Sequence, residues 1–299
     1  MRSKSPLSRR KIDMPRALIA GCGYLGHALA DLLTAEDWEV ECWTASPQSA
    51  RELSLKDRRA QAVDISSHKD VLAHKSGFDA VIHCASTRGG DVDSYQRVYL
   101  DGARNLLECF PATKFLFTSS TSVYAQTNGE QVSEESAAKP EHESGKILRE
   151  AENAVLAARG VIARLGGIYG PGRSAFLNKF LDGRAIIDAE HDRFVNEIHR
   201  DDAVTAMRLL LRSAVSSGEI YNVVDNEPIL QSECYRWLAA RLNRPLPPEG
   251  RSISKRKGGA SNKRVSNAKL RAIGWTPRYP NFAEGMEKSV LPSVAHESA

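Results

Sequence analysis

The stretch Ala17–Leu33, ALIAGCGYLGHALADLL, constrains this chain more than any other. A short apolar run ends in Gly21, and Gly23 and Gly26 follow. An apolar stripe at three-and-four spacing begins at once, which reads as a β-strand turning directly into a helix. Each glycine has its own physical reason. Gly21 permits a tight turn, Gly23 lets the backbone approach a diphosphate, and Gly26 lets helix and strand pack closely. The helix opening at Tyr24 and Leu25 offers free N–H groups and the positive end of its dipole to an anion. A bare GxGxxG is a weak signal, but at the first strand–helix junction of an alternating chain it points to a dinucleotide.

The alternation continues downstream. The runs RALIAG, WEVECW, RRAQAVD, FDAVIHCAS, KFLFTSS and GVIARLGG are separated by longer segments, of which Tyr24–Thr34, Asp93–Cys109 and Ser144–Ala158 have helical pattern. In the last, Ile147, Leu148, Ala151 and Val155 keep the spacing of a buried face. Strand-length apolar runs between helices predict a mainly parallel sheet covered on both faces. After Gly170 the pattern changes: GPGRSAFLNKFLDG reads as a turn and a short helix, GEIYNVVDNEP as one more strand, and LQSECYRWLAARLNRP as a helix. The expected fold class is therefore α/β. Pro247–Ser261, rich in Pro, Gly and basic residues, reads as a loop.

Charge excludes more than it suggests. Of 41 basic and 37 acidic residues, the first thirteen positions hold Arg2, Lys4, Arg9, Arg10 and Lys11 against Asp13, which leaves 36 of each in the body. A neutral body removes most support for nucleic-acid binding; the basic pairs at Lys255–Lys257 and Lys263–Arg264 read as a solvated loop. The N-terminal residues 1–13 lack a long apolar core and read as a disordered extension, with Met14 a candidate start. No run resembles a membrane span. Five scattered cysteines without a CxxC pair argue against a disulfide framework or zinc site and fit a reducing cytoplasm. No metal is expected.

The adenosine end of the site is less regular. An acid at the tip of the second strand would bind ribose hydroxyls, and an arginine there would bind a 2′-phosphate. This chain has Trp43–Thr44–Ala45–Ser46 at that tip, with Glu41 inside the strand as a solvent-facing or paired residue. Thr44, Ser46 and Arg51 suit a 2′-phosphate through hydroxyl and guanidinium contacts, so NADP is preferred over NAD.

Taken in order, GCGYLG, VDIS, VIHCAS, YQRVYLDGARNLLE, FTSSTSVYA, ARLGGIYGPGR, EIHRDDAV, IYNVVDNEP and LRAIGWTPRYPNFAEGM give the chain its resemblance. It resembles an extended short-chain dehydrogenase/reductase of the NAD-dependent epimerase/dehydratase superfamily, from about Arg16 to Met286. The resemblance implies a Rossmann-type, doubly wound parallel sheet over residues 14–170, completed by about 196–225, and a smaller C-terminal α+β substrate lobe over 171–195 and 226–290, with the substrate cleft between the two. Residues 291–299 are then a tail, of which His296–Ala299 read as solvated. It places Asp64 and Ile65 beside the adenine, Cys84, Ala85 and Ser86 along the cofactor, and Gly167 and Ile168 against the nicotinamide, with Tyr169 at the same border. It also implies a catalytic Ser120, with Thr121 as neighbour, and a catalytic and ribose-binding Lys146.

Two positions depart from the pattern. His142, in KPEHESGKILREAE, stands where the family carries its catalytic tyrosine, and Tyr99 stands where an asparagine is common. The usual tyrosine acts as acid/base while hydride moves to or from the nicotinamide, its pKa lowered by the lysine. A histidine titrates near 6.5 and is able to carry that proton; a surface histidine is the competing reading, and Tyr99 and Tyr124 are alternative donors. Losing the tyrosine resembles the atypical, YeeZ-like subgroup. Two functions follow as expectations: an NAD(P)-dependent oxidoreductase or epimerase for a small polar or sugar-like substrate, or a non-catalytic NAD(P)-binding sensor or scaffold. The family often dimerises, so Asp93–Cys109 and Ser144–Ala158 are candidate faces of a homodimer.

Overall fold

The computed structural model describes residues 14–87, 89–111, 113–251 and 261–297. The basic N-terminal tail and Lys255–Lys257 lie outside the described residues.

In its first half the chain runs β1 (Arg16–Ala20), α1 (Tyr24–Ala35), β2 (Glu39–Thr44), α2 (Pro47–Ser54), β3 (Arg59–Ala62), α3 (His68–Ala73) and β4 (Ala80–His83). Then come α4 (Val92–Tyr95), α5 (Gly102–Cys109), β5 (Lys114–Ser120), β6 (Glu130–Val132), α6 (Glu143–Ala157), β7 (Val161–Leu165) and β8 (Gly167–Tyr169). The second half adds α7 (Ala175–Leu181), β9 (Phe194–Val195), β10 (Glu197–His199), α8 (Arg200–Arg212), β11 (Ile220–Val223), β12 (Ile229–Leu230) and α9 (Gln231–Leu242). It closes with β13 (Lys263–Val265), α10 (Ala268–Ala272), α11 (Phe282–Gly285) and α12 (Leu291–Glu297).

Seven of these strands form one parallel sheet in the order β11-β7-β5-β4-β1-β2-β3. The chain order reverses between β1 and β4, and this reversal opens a crevice at the carboxyl ends of the strands where ligands of such sheets sit. Both faces are covered, which is why the central strands are apolar throughout rather than alternating. Leu29 and Leu33 of α1 pack with Met207 and Leu210 of α8 on one face. On the other, Leu106 of α5 packs with Leu148 and Val155 of α6. A third apolar cluster lies apart from the sheet and joins Leu177 and Phe180 of α7, Tyr235 and Leu238 of α9, and Phe282 and Met286.

Two local expectations are corrected. The segment Asp93–Cys109 is not one regular helix: between α4 and α5, Gln96–Asp101 is wound as a π-helix. Within it, the Val98 carbonyl accepts a hydrogen bond of 2.9 Å from Nε2 of the buried His83, a partner outside the helix. Residues 291–297, set in the tail, are wound as α12. Met286 and Val290 are buried just before it and Leu291 packs on the third cluster, so the chain still has an apolar anchor there.

Candidate functional site

The glycine turn is built as its sequence requires. Gly21 has φ +94°, and a Cβ on it would stand 2.2 Å from the Ala85 backbone, so the turn touches the segment that follows β4. The amides of Gly21 and Cys22 both donate to the Trp43 carbonyl, at 2.9 and 3.0 Å, tying the turn to β2. A Cβ on Gly26 would lie 2.8 Å from the Gly21 carbonyl, the close helix–strand packing expected of the third glycine. Helix α1 begins with Gly23 as its N-cap, with no capping side chain and no acid in its first turn. Its leading N–H groups and dipole are thus left for an anion. Leu25 turns into the core, while the Tyr24 hydroxyl donates to the Pro171 carbonyl at 3.0 Å.

At the adenosine end, Glu41 is held inside the sheet, accepting from Trp43 Nε1 at 2.8 Å and Gln61 Nε2 at 3.0 Å. Thr44 Oγ1 donates to the Ser46 carbonyl, and Ser46 Oγ accepts from the Ser49 amide as the N-cap of α2. Asp64 is exposed and accepts from the Ser66 amide at 3.0 Å and its hydroxyl at 2.7 Å. Its neighbour Ile65 is buried, and lies where a Cβ on Gly102 would be. Cys84 leaves β4 with its amide on the Ala20 carbonyl; Ala85 meets Gly21 and Ser86 is exposed. Burial pushes the Cys84 thiol up, which makes it a poor nucleophile.

Ser120 ends β5, and its Oγ accepts from the Ser122 amide at 3.1 Å, capping a short turn against which α6 packs. His142 is the N-cap of α6: its Nδ1 accepts from the Gly145 amide at 2.9 Å, with Ser144 Oγ at 3.0 Å. An Nδ1 that accepts carries no proton, so the neutral ring bears its hydrogen on Nε2. That Nε2 is sealed from solvent and has no hydrogen-bond partner among the described residues. Gly145 makes the arrangement possible, because a Cβ there would be 2.6 Å from His142 Cε1. One helical turn on, Lys146 is exposed and its Nζ pairs with Glu143 at 2.7 Å.

The alternative donors differ from His142. Tyr124 is fully buried; its hydroxyl donates to Asn222 Oδ1 at 2.9 Å and accepts from Arg164 Nη1 at 2.8 Å, so it belongs to a closed network. Tyr99, in the π-helix, stacks on His83, and burial pushes its hydroxyl up to about 12.

Gly167 and Ile168 lie on β8, paired in register with β10. Ile168 packs toward the sheet, whereas the space a Gly167 side chain would fill is taken by Glu197, whose Oε1 is 2.3 Å from the missing Cβ position. Burial, and then the nearby Asp225, raise the Glu197 carboxyl well above the usual carboxylate range. Asp225 is raised by burial too, and its Oδ2 is buried with no hydrogen-bond partner among the described residues. The sequence reading did not assign Glu197. Its only signal was an acid in the alternation of NEIHR, and the glycine it faces lies thirty positions earlier.

A glycine turn at the switch point of a doubly wound sheet defines a dinucleotide-fold protein. The description of the family whose model matches residues 17–223, the NAD dependent epimerase/dehydratase family, narrows this, and the chain belongs to that family. Among curated proteins it is similar to Protein YeeZ of Escherichia coli K12, 30% identical over 282 residues, covering 90% of this chain and 97% of that protein. UDP-glucose 4-epimerase of Thermotoga maritima, solved with UDP-glucose, shares the fold at TM-score 0.82 and 16% identity over 95% of this chain and 100% of that one. The Thermus thermophilus UDP-glucose 4-epimerase, solved with NAD, does so at TM-score 0.79 and 23% identity over 93% and 99%. Among the described residues no helix is long and apolar enough to cross a membrane, and no group of three or more His, Cys, Asp or Glu is placed to hold a metal ion.

Proposed function

We propose that the protein is an NAD(P)-dependent oxidoreductase or epimerase of the atypical short-chain type, acting on a small polar or sugar-like substrate. The observation that carries this is the uncapped, acid-free N-terminus of α1 behind Gly21 and Gly23, a ready acceptor for a coenzyme diphosphate. The nicotinamide coenzyme supplies the hydride carrier; the chain supplies grip, orientation and a proton. Gly21, Gly23, Tyr24, Leu25 and Gly26 form the diphosphate cradle. Asp64, Ile65, Cys84, Ala85, Ser86, Gly167 and Ile168 line the path from adenine to nicotinamide. Thr44 and Ser46, with no acid at the strand tip, favour NADP over NAD.

In this reading Lys146 leaves Glu143 to hold the nicotinamide ribose, and Ser120 steadies the substrate oxygen through the proton of its hydroxyl. His142 is assigned the proton transfer through Nε2, the nitrogen its capping bond leaves protonated in the neutral ring; that atom is sealed in the structure, so a local shift has to uncover it for substrate. Proton transfer by a positioned side chain is worth about 10²–10⁴ in rate, so this assignment bears most of the chemistry. The third apolar cluster serves as the substrate lobe, and a homodimer through Asp93–Cys109 and Ser144–Ala158 accompanies the reading.

The test is spectrophotometric. A panel of carbonyl compounds and sugar nucleotides is screened for substrate-dependent change in NADPH and NADH absorbance, with Lys146→Ala as the control. Turnover that survives Lys146→Ala contradicts the lysine's role. Coenzyme binding by calorimetry with no hydride transfer across the panel supports the sensor or scaffold reading instead. No affinity for either reduced coenzyme, with Gly23→Asp behaving like the parent, removes both.

A further inference from the structure

Two arginines from outside the glycine turn converge on the first residue of α1. The guanidinium carbons of Arg173 and Arg200 lie 5.3 and 5.1 Å from the Tyr24 ring centroid. Arg173 ends the turn Gly170–Pro171–Gly172–Arg173, closed by reciprocal backbone bonds of 2.8 and 3.0 Å between Gly170 and Arg173. The Tyr24 hydroxyl pins this turn through Pro171. Gly170 has no room for a side chain, since a Cβ would fall 2.6 Å from that hydroxyl and 3.3 Å from Arg200 Cβ.

The electrostatics of the group are unbalanced. A helix N-terminus already carries about half a positive charge, and cations beside it are unfavourable. Here two cations stand on the ring of its first residue, no acid lies in the first turn, and Asp201 pairs with Arg200 at 2.8 Å and lies 4.0 Å from His199 Nδ1. Among the described residues Arg173 has no carboxylate partner and is exposed. A guanidinium fork fits phosphate oxygens in a bidentate manner, and stacking on an aromatic ring orients it beforehand.

We propose that Arg173 and Arg200, ordered on Tyr24, form the side-chain half of a phosphate site that grips the diphosphate of the coenzyme together with the α1 amides. The proposal rests on the coenzyme reading above and adds residues that the glycine motif does not contain. The β8–α7 turn then senses an occupied coenzyme site directly, because the same turn leads into the third apolar cluster.

Calorimetric titration of the full chain with NADPH, NADH, ADP-ribose and UDP-glucose tests it, using Arg173→Gln, Arg200→Gln and, as a charge-removal control, Lys179→Gln. Each arginine variant is expected to bind both coenzymes and ADP-ribose about tenfold or more weakly. Each is also expected to lose part of the salt dependence of the parent, while Lys179→Gln matches it. Melting curves check folding; Arg173 is exposed, so its variant carries the test if Arg200→Gln is unstable. Unchanged affinity in the Arg173 variant, with the parent binding normally, overturns the proposal and leaves the coenzyme reading standing. A loss confined to UDP-glucose overturns it as well, because the arginines then serve a substrate diphosphate. A parent that binds none of the four ligands overturns both readings.

Discussion

Helix α6 carries charge in two settings, and they have opposite consequences. In its first turn Lys146 and Glu143 pair in the open, with side chains 55% and 64% exposed. In the turns behind them Glu152 is completely buried. It accepts from Arg164 Nε at 2.9 Å and Nη2 at 2.7 Å and from Ser119 Oγ at 2.5 Å, and it also pairs with Arg149. Arg164 in turn reaches Tyr124, which reaches Asn222, so every member is satisfied within the network. An exposed pair is worth little to the fold and is easily rearranged, whereas a buried one is costly to break because removing one partner leaves the other charge unpaired. The inner network therefore locks α6 onto β5 and β7, and the outer pair is free to exchange partners when a ligand arrives.

Replacing one member in each setting is the strongest way to break this contrast. Glu152→Ala is expected to cost about 3–5 kcal/mol of unfolding free energy, read from urea denaturation. Lys146→Ala is expected to stay within about 0.5 kcal/mol of the parent. A similar cost at both positions would remove the distinction. In the substrate-driven absorbance assay, Lys146→Ala should instead lower turnover about 100-fold or more, since the role proposed for it lies in the coenzyme complex.

His142 stands between the two settings: it caps α6 in the structure, and the proposed reading adds a proton-transfer role. His142→Ala should cost about 1 kcal/mol through the lost cap, while His142→Asn keeps a capping acceptor and most of that stability. If the Nε2 hydrogen is used, His142→Asn still loses roughly tenfold or more in turnover. Wild-type turnover in that variant would reduce the histidine to a cap.

The smallest effect belongs to Glu197 and depends on pH. Its folded pKa is raised, so the fold favours the protonated carboxyl. The stability this contributes is full below the ordinary carboxylate range and is lost as pH rises through the folded value. Glu197→Gln should therefore melt at a higher temperature than the parent near pH 8, with the difference vanishing toward about pH 4. The buried His83 has the reverse sign. Burial depresses its pKa to about 4, so its contribution is present above about 6.5 and is lost as pH falls through about 4. A Glu197→Gln effect that grows on acidification would mean the carboxyl is ionised in the fold.

Much of the fold was legible because period and spacing are local properties. The six apolar runs and the later GEIYNVV run became the seven strands of the sheet, and the glycine turn fell at its first junction. The winding of Gln96–Asp101 was not legible. Its residues have ordinary helical pattern, and nothing in them marks that the Val98 carbonyl meets His83 from a strand. The end of the chain misled for a similar reason, since Leu291 gains its value only against a cluster assembled from α7, α9 and α11.

The sequence alone determined the alternation, the three glycines at the first strand–helix junction, and the placement of Ser120, His142 and Lys146 at element ends. These follow from backbone conformation and nearest neighbours, which a linear string records. Only the tertiary structure decided that Glu152 is buried and Lys146 is not, although both lie on one helix. It alone set Glu197 against Gly167 and brought Arg173 and Arg200 to Tyr24. Those meetings join segments far apart in the chain, and the burial and charge that set their chemistry exist only once the segments have packed.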